Sequence, residues 1–268
     1  MNEMVSELLN ELADFPGREE GLRKIKRFTL YSTVFYRFSD FSHSKRVAWH
    51  AASIESLLLQ VHPGFDIKRA LAIALVHDDA ELITGDYQAG NKSKMTKEQL
   101  DALDQEERVA VATLAERFPK TVGGFLYKEL LEDVMELRTK EAQVVKYLDR
   151  QDALGETLHE LYGGNTTWTV NVVNEFGTIP TPFEFYLDKQ PKMIEKHASL
   201  VALKDKHPFF MTPMQMDWKR FVPTQRPHTP TSICSLTGHP QYDAWRQVVI
   251  GSGDSEEIEN LYTQRELI

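Results

Sequence analysis

A histidine and four acidic residues lie within ten positions of one another in the first third of the chain. They are His77, Asp78, Asp79, Glu81 and Asp86. A histidine beside carboxylates can hold a metal ion, and a further carboxylate can act as a general acid or base. Burying unpaired carboxylates costs several kcal/mol, so a buried cluster needs a cation, hydrogen bonds or shifted pKa values. The alternative is an exposed and inert acidic cluster at a helix end.

The apolar run at residues 70–76 predicts a helix that carries this cluster. Asp66 is the expected N-cap of the helix, and Gly85 is its expected C-terminal stop. Spacings of three and four residues place His77, Asp78 and Glu81 on one face, together with small alanines. That face is expected to point toward the core, which favours chemistry over an inert surface cluster.

A metal site needs ligands from other segments as well. Ser44 is the expected N-cap of an earlier helix whose apolar stripe includes His50, although a lone inward histidine is more often an ordinary core residue. A later helix at residues 144–154 places Asp149 at a buried edge, where an ion pair with Arg150 is the alternative interpretation. The predicted metal ligands are His50, His77, Asp78 and Asp149.

This mixed nitrogen and oxygen set suits one divalent ion, such as Mn, Co, Ni or Fe, with Zn or Mg also possible. Four protein ligands leave about two octahedral positions for water and a substrate oxygen, which suits phosphate-ester hydrolysis. Glu81, one turn beyond His77, is the expected general acid or base. Asp86 would oppose the helix dipole at a C-terminus, which favours a role as second acid or sugar contact. Lys92 is a candidate phosphate contact, or else a solvated lysine of a surface loop.

The predicted ligands, in chain order, resemble the H…HD…D signature of the HD-domain metal-dependent phosphohydrolases. Residues 77–86 are similar to the HDxxExxxGD block of the bacterial 5'-deoxynucleotidase branch. Residues 145–150 resemble its Val-Lys-x-Leu-Asp-Lys sequence. Residues 47–50 resemble its Val-Ala-Glu-His sequence, with Trp49 in place of the usual acidic residue. The resemblance covers roughly residues 20 to 160.

A basic segment at residues 22–28 resembles the helix of that branch that ends in a phosphate-binding arginine followed by an aromatic residue. The resemblance implies that Arg27 binds the substrate phosphate. Lys26, Arg37 and Arg46 are alternatives, because the stretch from Arg27 to the predicted histidine ligand is longer than usual. Without the resemblance, a solvated basic face is an equally good interpretation of this segment.

The resemblance also implies a single metal ion. Residues 80–148 contain no histidine, whereas two-metal HD phosphodiesterases place extra histidine ligands in this interval. The implied activity is removal of the 5'-phosphate from (deoxy)nucleoside monophosphates. A dNTP triphosphohydrolase is the alternative reaction, and a non-catalytic nucleotide-binding HD protein is the alternative from another class.

The composition limits the partners of the protein. The chain has 268 residues, of which 41% are hydrophobic, and a formal charge of −9, which argues against sequence-independent nucleic-acid binding. It lacks an apolar run of about 20 residues, so no membrane insertion is expected. The single Cys234 excludes an internal disulfide, and no signal-like segment is visible, which predicts a cytoplasmic protein. The expected partner is a small nucleotide, and a homodimer or higher homo-oligomer is left open.

The predicted fold is mainly α, an HD-domain helical bundle over residues 1–205. A helix at 97–118, capped by Thr96, belongs to this bundle. The C-terminal extension at 206–268 is irregular and rich in proline and aromatic residues, which favours order over a flexible tail. A short hairpin or a single strand is expected within the strand-favouring stretch at residues 167–173. Whether the extension covers the site or forms an oligomer interface is left open.

Overall fold

The computed structural model describes residues 3–33, 38–87, 89–162, 165–211 and 238–254. These residues are mainly α-helical with two short β-hairpins, which confirms the predicted fold class. They form two compact units: residues 3–27 and 38–149 make the first, and residues 28–33 and those from 150 onward make the second. This division falls inside a long helix. The boundary after residue 205 expected from the sequence stays a prediction.

The first unit contains the bundle that surrounds the predicted site. Its elements are α1 (Glu3–Ala13), α2 (Arg18–Lys24), α3 (Asp40–Ser53), α4 (Glu55–Val61), α5 (Ile67–Val76), α6 (Glu81–Thr84), α7 (Ala89–Lys92), α8 (Lys97–Arg117), β1 (Thr121–Val122), β2 (Phe125–Leu126), α9 (Tyr127–Glu136) and the beginning of α10 (Lys140–Tyr162). The strands β1 and β2 form an antiparallel hairpin. Helix α8 begins at the predicted Thr96 cap, whose side chain accepts from Gln99 N.

Helices α3 and α5 pack against each other at the centre of this unit. Small side chains allow this packing, because Ala48 and Ala51 of α3 and Ala70 and Ala74 of α5 are fully buried. Helix α3 begins earlier than the sequence indicates. Its N-cap is Ser39, which forms a capping box with Ser42, so the prediction of an N-cap at Ser44 is wrong. The additional turn of helix brings Asp40, Ser42 and His43 into the core.

Helix α5 begins at the predicted Asp66 cap but ends at Val76. The expectation that the histidine and acidic cluster lies on this helix is therefore wrong. His77 is the C-cap, and Asp79 N bonds Val76 O at 3.0 Å, which tightens the chain into a turn. The short helix α6 follows, and Gly85 ends it with a φ of 72°. His77, Asp78 and Asp79 thus lie on a turn between two helices, whereas Glu81 begins α6 and Asp86 follows its end.

The second unit contains the rest of α10 and smaller elements. They are a 3-10 turn (Thr166–Thr169), β3 (Val172–Asn174), β4 (Gly177–Ile179), α11 (Pro182–Lys196), α12 (Ala198–Val201), a 3-10 turn (Pro208–Phe210) and α13 (Pro240–Ser252). Strands β3 and β4 form a hairpin, which lies later in the chain than the stretch expected from the sequence, because a 3-10 turn occupies residues 166–169. Helix α13 packs Trp245 into the core, where its indole Nε1 donates to Asp152 Oδ1 at 2.8 Å.

Two residues named from the sequence, Arg37 and Cys234, lie outside the described residues. Among the helices that the structure describes, none is both long and apolar enough to cross a membrane.

Candidate metal centre

Four side chains of the first unit bring nitrogen and oxygen atoms together in a buried cluster. Among the described residues, His43, His77 and Asp149 each offer a ligand atom within 4.8 Å of the other two. His43 Nε2 lies 3.1 Å from Asp149 Oδ1, and His77 Nε2 lies 4.0 Å from the same oxygen. Asp78 completes the cluster, with carboxylate oxygens 3.2 Å from His77 Nε2 and 3.6 Å from His43 Nε2.

Each of the four residues comes from a different local setting. His43 lies in the first turn of α3, His77 caps the end of α5, and Asp149 lies on α10. Asp78 lies in the turn after α5. The three helices that carry the other ligands are fixed by the buried core of the unit, so the ligand atoms converge without a flexible loop.

The cluster contains His43 where the sequence analysis expects His50. His50 is also buried in α3, but it belongs to neither group of candidate ligands found among the described residues. The two histidines are seven residues apart, which is two helical turns, so they share one face of the helix. The signal that sequence reasoning missed is the Ser39 to Ser42 capping pair, which moves the start of the helix and makes His43 an inward residue.

The hydrogen bonding of His77 determines which of its ring nitrogens is available as a ligand. Its Nδ1 lies 2.8 Å from Ala74 O. Since a carbonyl only accepts, Nδ1 carries the proton and Nε2 keeps its lone pair. Burial also lowers the pKa of His77, which favours the neutral ring. The Nε2 atom is buried and makes no hydrogen bond to any described residue. A lone pair aimed into a carboxylate cluster fits a cation.

The two carboxylates of the cluster are held in the charged form. Burial alone would raise the pKa of Asp149, but Lys146, His43 and His77 outweigh burial and hold it well below its usual range. Lys146 Nζ lies 2.6 Å from Asp149 Oδ2. For Asp78, the nearby imidazoles likewise outweigh burial and lower its pKa. Two imidazoles and two carboxylates form a donor set that fits a divalent ion.

Arg27 lies at the edge of this cluster. Its Nη1 is 3.7 Å from Asp78 Oδ2 and 3.9 Å from Asp40 Oδ1, and its side chain is 13% exposed. Among the alternatives named from the sequence, Arg46 lies over the Phe38 ring at 3.7 Å, and the backbone of Lys26 bridges to Ser39. The arrangement places one guanidinium beside the predicted ligands, where it can stabilise an anionic group.

A second set of carboxyl groups, Asp40, Glu81 and Asp86, surrounds Asp78 and has pKa values shifted in the opposite direction. Burial, followed by the Asp78 charge, raises the pKa of Asp40 to about 7. The same causes raise the pKa of Glu81 well above its usual value, and the charge of the nearby Asp40 raises it further. Both carboxyl groups therefore keep a proton more readily than an ordinary carboxylate does. Sequence reasoning missed Asp40, because the helix start was placed after it.

Two further predicted site residues are Asp86 and Lys92. Burial also raises the pKa of Asp86, against the opposing charges of Arg27 and Lys92. Lys92 lies in the short helix α7 and not in an open loop, and it pairs with Glu107 at 3.1 Å. Asp79, which has no assigned role in the sequence analysis, is fully buried and bonds Arg18 and Tyr127.

Comparison with known proteins gives a family match for the chain. The family model for 5'-deoxynucleotidase YfbR-like proteins matches residues 19–178, which is more than half of the chain. No curated protein matches the chain at a significant level.

Three solved structures are similar to the chain. A conserved hypothetical protein from Pyrococcus furiosus is 20% identical over 71% of this chain and 94% of its own, with a TM-score of 0.52. The PH0347 protein from Pyrococcus horikoshii OT3 is 17% identical over 71% and 93%, with a TM-score of 0.51. These two likenesses show the fold. A predicted metal-dependent phosphohydrolase from Magnetospirillum magnetotacticum MS-1 is 26% identical over 63% and 78%, with a TM-score of 0.43.

Proposed function

Because the chain belongs to the YfbR-like 5'-deoxynucleotidase family, a family of phosphohydrolases, we propose that it removes the 5'-phosphate from (deoxy)nucleoside monophosphates in a metal-dependent reaction. The observation that carries the proposal is the buried cluster of two imidazoles and two carboxylates with a guanidinium at its edge. Such a cluster is costly to bury without a cation, and it combines metal binding with anion binding. Those are the two requirements of phosphate-ester hydrolysis.

The proposed metal ligands are His43, His77, Asp78 and Asp149. His43 replaces His50 of the sequence analysis, because the former lies within hydrogen-bonding distance of Asp149. One divalent ion is proposed, of a kind that accepts mixed nitrogen and oxygen ligands. When bound, it supplies Lewis-acid polarisation of a phosphoryl oxygen and makes a water molecule more acidic.

The protein supplies the charge and the proton chemistry around that ion. Arg27 is proposed to bind the phosphate oxygens, since a guanidinium can pair with two of them and offset their growing negative charge. Its position 3.7 Å from Asp78 Oδ2 would keep the phosphate next to the metal ligands. Arg27 therefore orients the ester for attack.

Glu81 is the proposed general acid or base. Its raised pKa favours the protonated form, which is what donation to the leaving 5'-oxygen requires. Burial and the charges of Asp78 and Asp40 all raise this pKa, which helps to keep the proton on Glu81.

Asp86 is proposed as a contact to the sugar. It follows Gly85 at the end of α6 and lies close enough to Arg27 and Asp78 to sense both charges. Lys92 is a weaker candidate for the phosphate, because its ammonium group already pairs with Glu107. We therefore propose that Lys92 attracts the anionic substrate at long range and does not bind the phosphate directly.

The test is a panel of nucleoside mono-, di- and triphosphates, in ribose and deoxyribose forms, each assayed with Mn, Co, Ni, Fe, Zn and Mg. The expected products from a deoxynucleoside monophosphate are the nucleoside and inorganic phosphate. Arg27→Ala is expected to raise KM and to lower kcat for this substrate. Arg23→Ala is the matched control, because Arg23 lies on α2 with an exposed partner, Glu19.

Other products would contradict the proposal. Release of triphosphate from a dNTP, with the monophosphate left intact, would assign a triphosphohydrolase. Nucleotide binding without turnover under every metal would assign a binding protein.

A further inference from the structure

A buried ion pair fastens helix α2 to the turn that carries two of the proposed metal ligands. Arg18 Nε donates to Asp79 Oδ2 at 2.7 Å, and its Nη2 donates to Asp79 Oδ1 at 2.6 Å. Tyr127 Oη donates to Asp79 Oδ2 at 2.8 Å. Both charged side chains are at most 2% exposed. The network joins three segments that are far apart in sequence.

The same arginine also holds the end of helix α5. Helix α5 stops at Val76, so the carbonyl of Leu75 has no amide partner within the helix. Arg18 Nη2 donates to Leu75 O at 2.5 Å, which satisfies this carbonyl with a cation at the negative end of the helix dipole. The carbonyl one residue earlier, Ala74 O, accepts from the His77 ring.

These contacts lie on both sides of the proposed ligands. Arg18 bonds Leu75, two residues before His77, and Asp79, the residue after Asp78. The peptide segment between the two anchors is only three residues long, so it has few alternative conformations when both ends are fixed. The orientation of the His77 ring and of the Asp78 carboxylate is thereby restricted.

The neighbouring turn of α2 packs just as closely. A Cβ atom at Gly21 would lie 2.5 Å from Leu82 Cδ2, so any side chain there would have to displace the end of the Leu82 side chain of α6. Arg18 and Gly21 are three residues apart and therefore lie on one face of α2. Through this face, α2 contacts both the turn after α5 and α6, the helix that carries Glu81.

We propose that Arg18, Asp79 and Tyr127 are positioning residues for the metal centre, which set the turn geometry of His77 and Asp78 in advance of metal binding. The inference goes beyond the proposed function, since it concerns metal affinity and needs no particular substrate. Groups that orient the ligands of a metal commonly change its affinity by about 10-fold to 100-fold when they are removed. A purely structural ion pair would change stability alone.

The test replaces the whole network by apolar side chains of similar size, as Arg18→Met, Asp79→Leu and Tyr127→Phe in one chain. Exchanging a complete buried ion pair for apolar groups is often neutral for stability, whereas removing one partner strands a buried charge. The dissociation constant for Mn and for Co is measured by calorimetry, and amide hydrogen exchange is measured on the metal-free chain. Arg23→Met on the same helix is the control for the arginine.

The expected result is a folded chain whose metal dissociation constant rises by about 10-fold or more. In the metal-free chain, exchange at the amides of Asp79 and Glu81 is expected to accelerate, while exchange at Leu114 of α8 stays as in the parent. A folded variant that binds metal as tightly as the parent would overturn the proposal, whatever its exchange rates.

A milder variant decides the question if the triple variant does not fold. Tyr127→Phe keeps the ring that packs on Phe15 and Phe118 and removes one hydrogen bond to Asp79. It is expected to weaken metal binding measurably, though less than the triple variant does, against no change for Tyr87→Phe, whose hydroxyl pairs with the exposed Glu106. Equal metal affinity in both variants would overturn the proposal.

The outcome for the proposed function is separate. A parent chain that binds metal but hydrolyses no nucleotide would remove the proposed function and leave this inference standing.

Discussion

The acidic residues of the site divide into two groups with opposite pKa shifts. Asp78 and Asp149 have lowered pKa values because imidazoles and Lys146 outweigh burial. Burial raises the pKa values of Asp40 and Glu81, and neighbouring carboxylates raise them further. Ligands must be charged to hold a cation, whereas an acid must keep its proton, so the two groups suit different tasks.

The ligand assignment predicts a difference between two histidines of one helix. His43→Ala removes a nitrogen from the cluster, so the purified variant is expected to lose its metal. His50→Ala is the matched control, because it removes a buried imidazole from the same face of α3. This variant is expected to retain a full equivalent of metal. Elemental analysis after dialysis is the measurement. Metal loss in His50→Ala with retention in His43→Ala would restore the assignment made from the sequence.

Glu81 is expected to affect the rate without affecting the metal. Glu81→Gln preserves the size of the side chain but cannot release a proton, so kcat should fall by about 100-fold or more. Metal content should match the parent. Glu116→Gln, at an exposed position of α8, serves as control. An unchanged kcat in Glu81→Gln would move the proton transfer to another group, with Asp40 as the next candidate.

At the scale of elements, small residues determine where helices approach each other. In the second unit, a Cβ atom at Gly155 of α10 would lie 2.1 Å from the buried Trp245 ring of α13. The ring cannot easily move aside, because its Nε1 is bonded to Asp152. Helix α10 therefore depends on a glycine at this crossing despite the lower helix propensity of glycine.

Gly155→Ala is accordingly expected to destabilise the protein by about 2 kcal/mol or more through overpacking. Thermal unfolding of the parent and variant measures the loss. The clash should be partly relieved in a Trp245→Phe background, where the smaller ring leaves room, so the two substitutions are expected to be non-additive. Additive losses would show that the close approach is not the cause.

At the scale of the whole molecule, Asp40 makes the stability of the metal-free chain depend on pH. Its pKa is raised from 3.8 to about 7 in the folded protein. Between these values the folded state binds a proton that the unfolded state has released, so this contribution to stability is lost as the pH rises. The slope is at most about 1.4 kcal/mol per pH unit.

Asp40→Asn mimics the protonated side chain and should remove this slope. We expect the unfolding free energy of the parent to fall relative to that of Asp40→Asn as the pH rises from 5 to 7.5. Urea unfolding in the presence of a chelator is the measurement. Parallel pH profiles for the two chains would contradict the raised pKa of Asp40.

Much of the local structure was predictable, because it depends on near neighbours in sequence. The Asp66 and Thr96 caps and the apolar helix after residue 66 are all present. The HDxxExxxGD block indicated the family, since the spacing of its residues is itself a local property. The predicted end of α5 was wrong, because it lay more than one turn too late in the chain. The helix ends at Val76, where Arg18, a distant residue, binds the carbonyl of Leu75.

The sequence by itself determined which kinds of residue lie in this part of the chain: imidazoles, carboxylates and a guanidinium. Only the tertiary structure decided that His43, and not His50, lies beside His77 and Asp149. His43 and His50 share a helix face, but two turns separate them by about 10 Å along the axis. Asp149 lies on α10, 106 positions after His43, so which histidine meets it depends on how α3 packs against other helices. That packing is not contained in a periodic pattern of one helix.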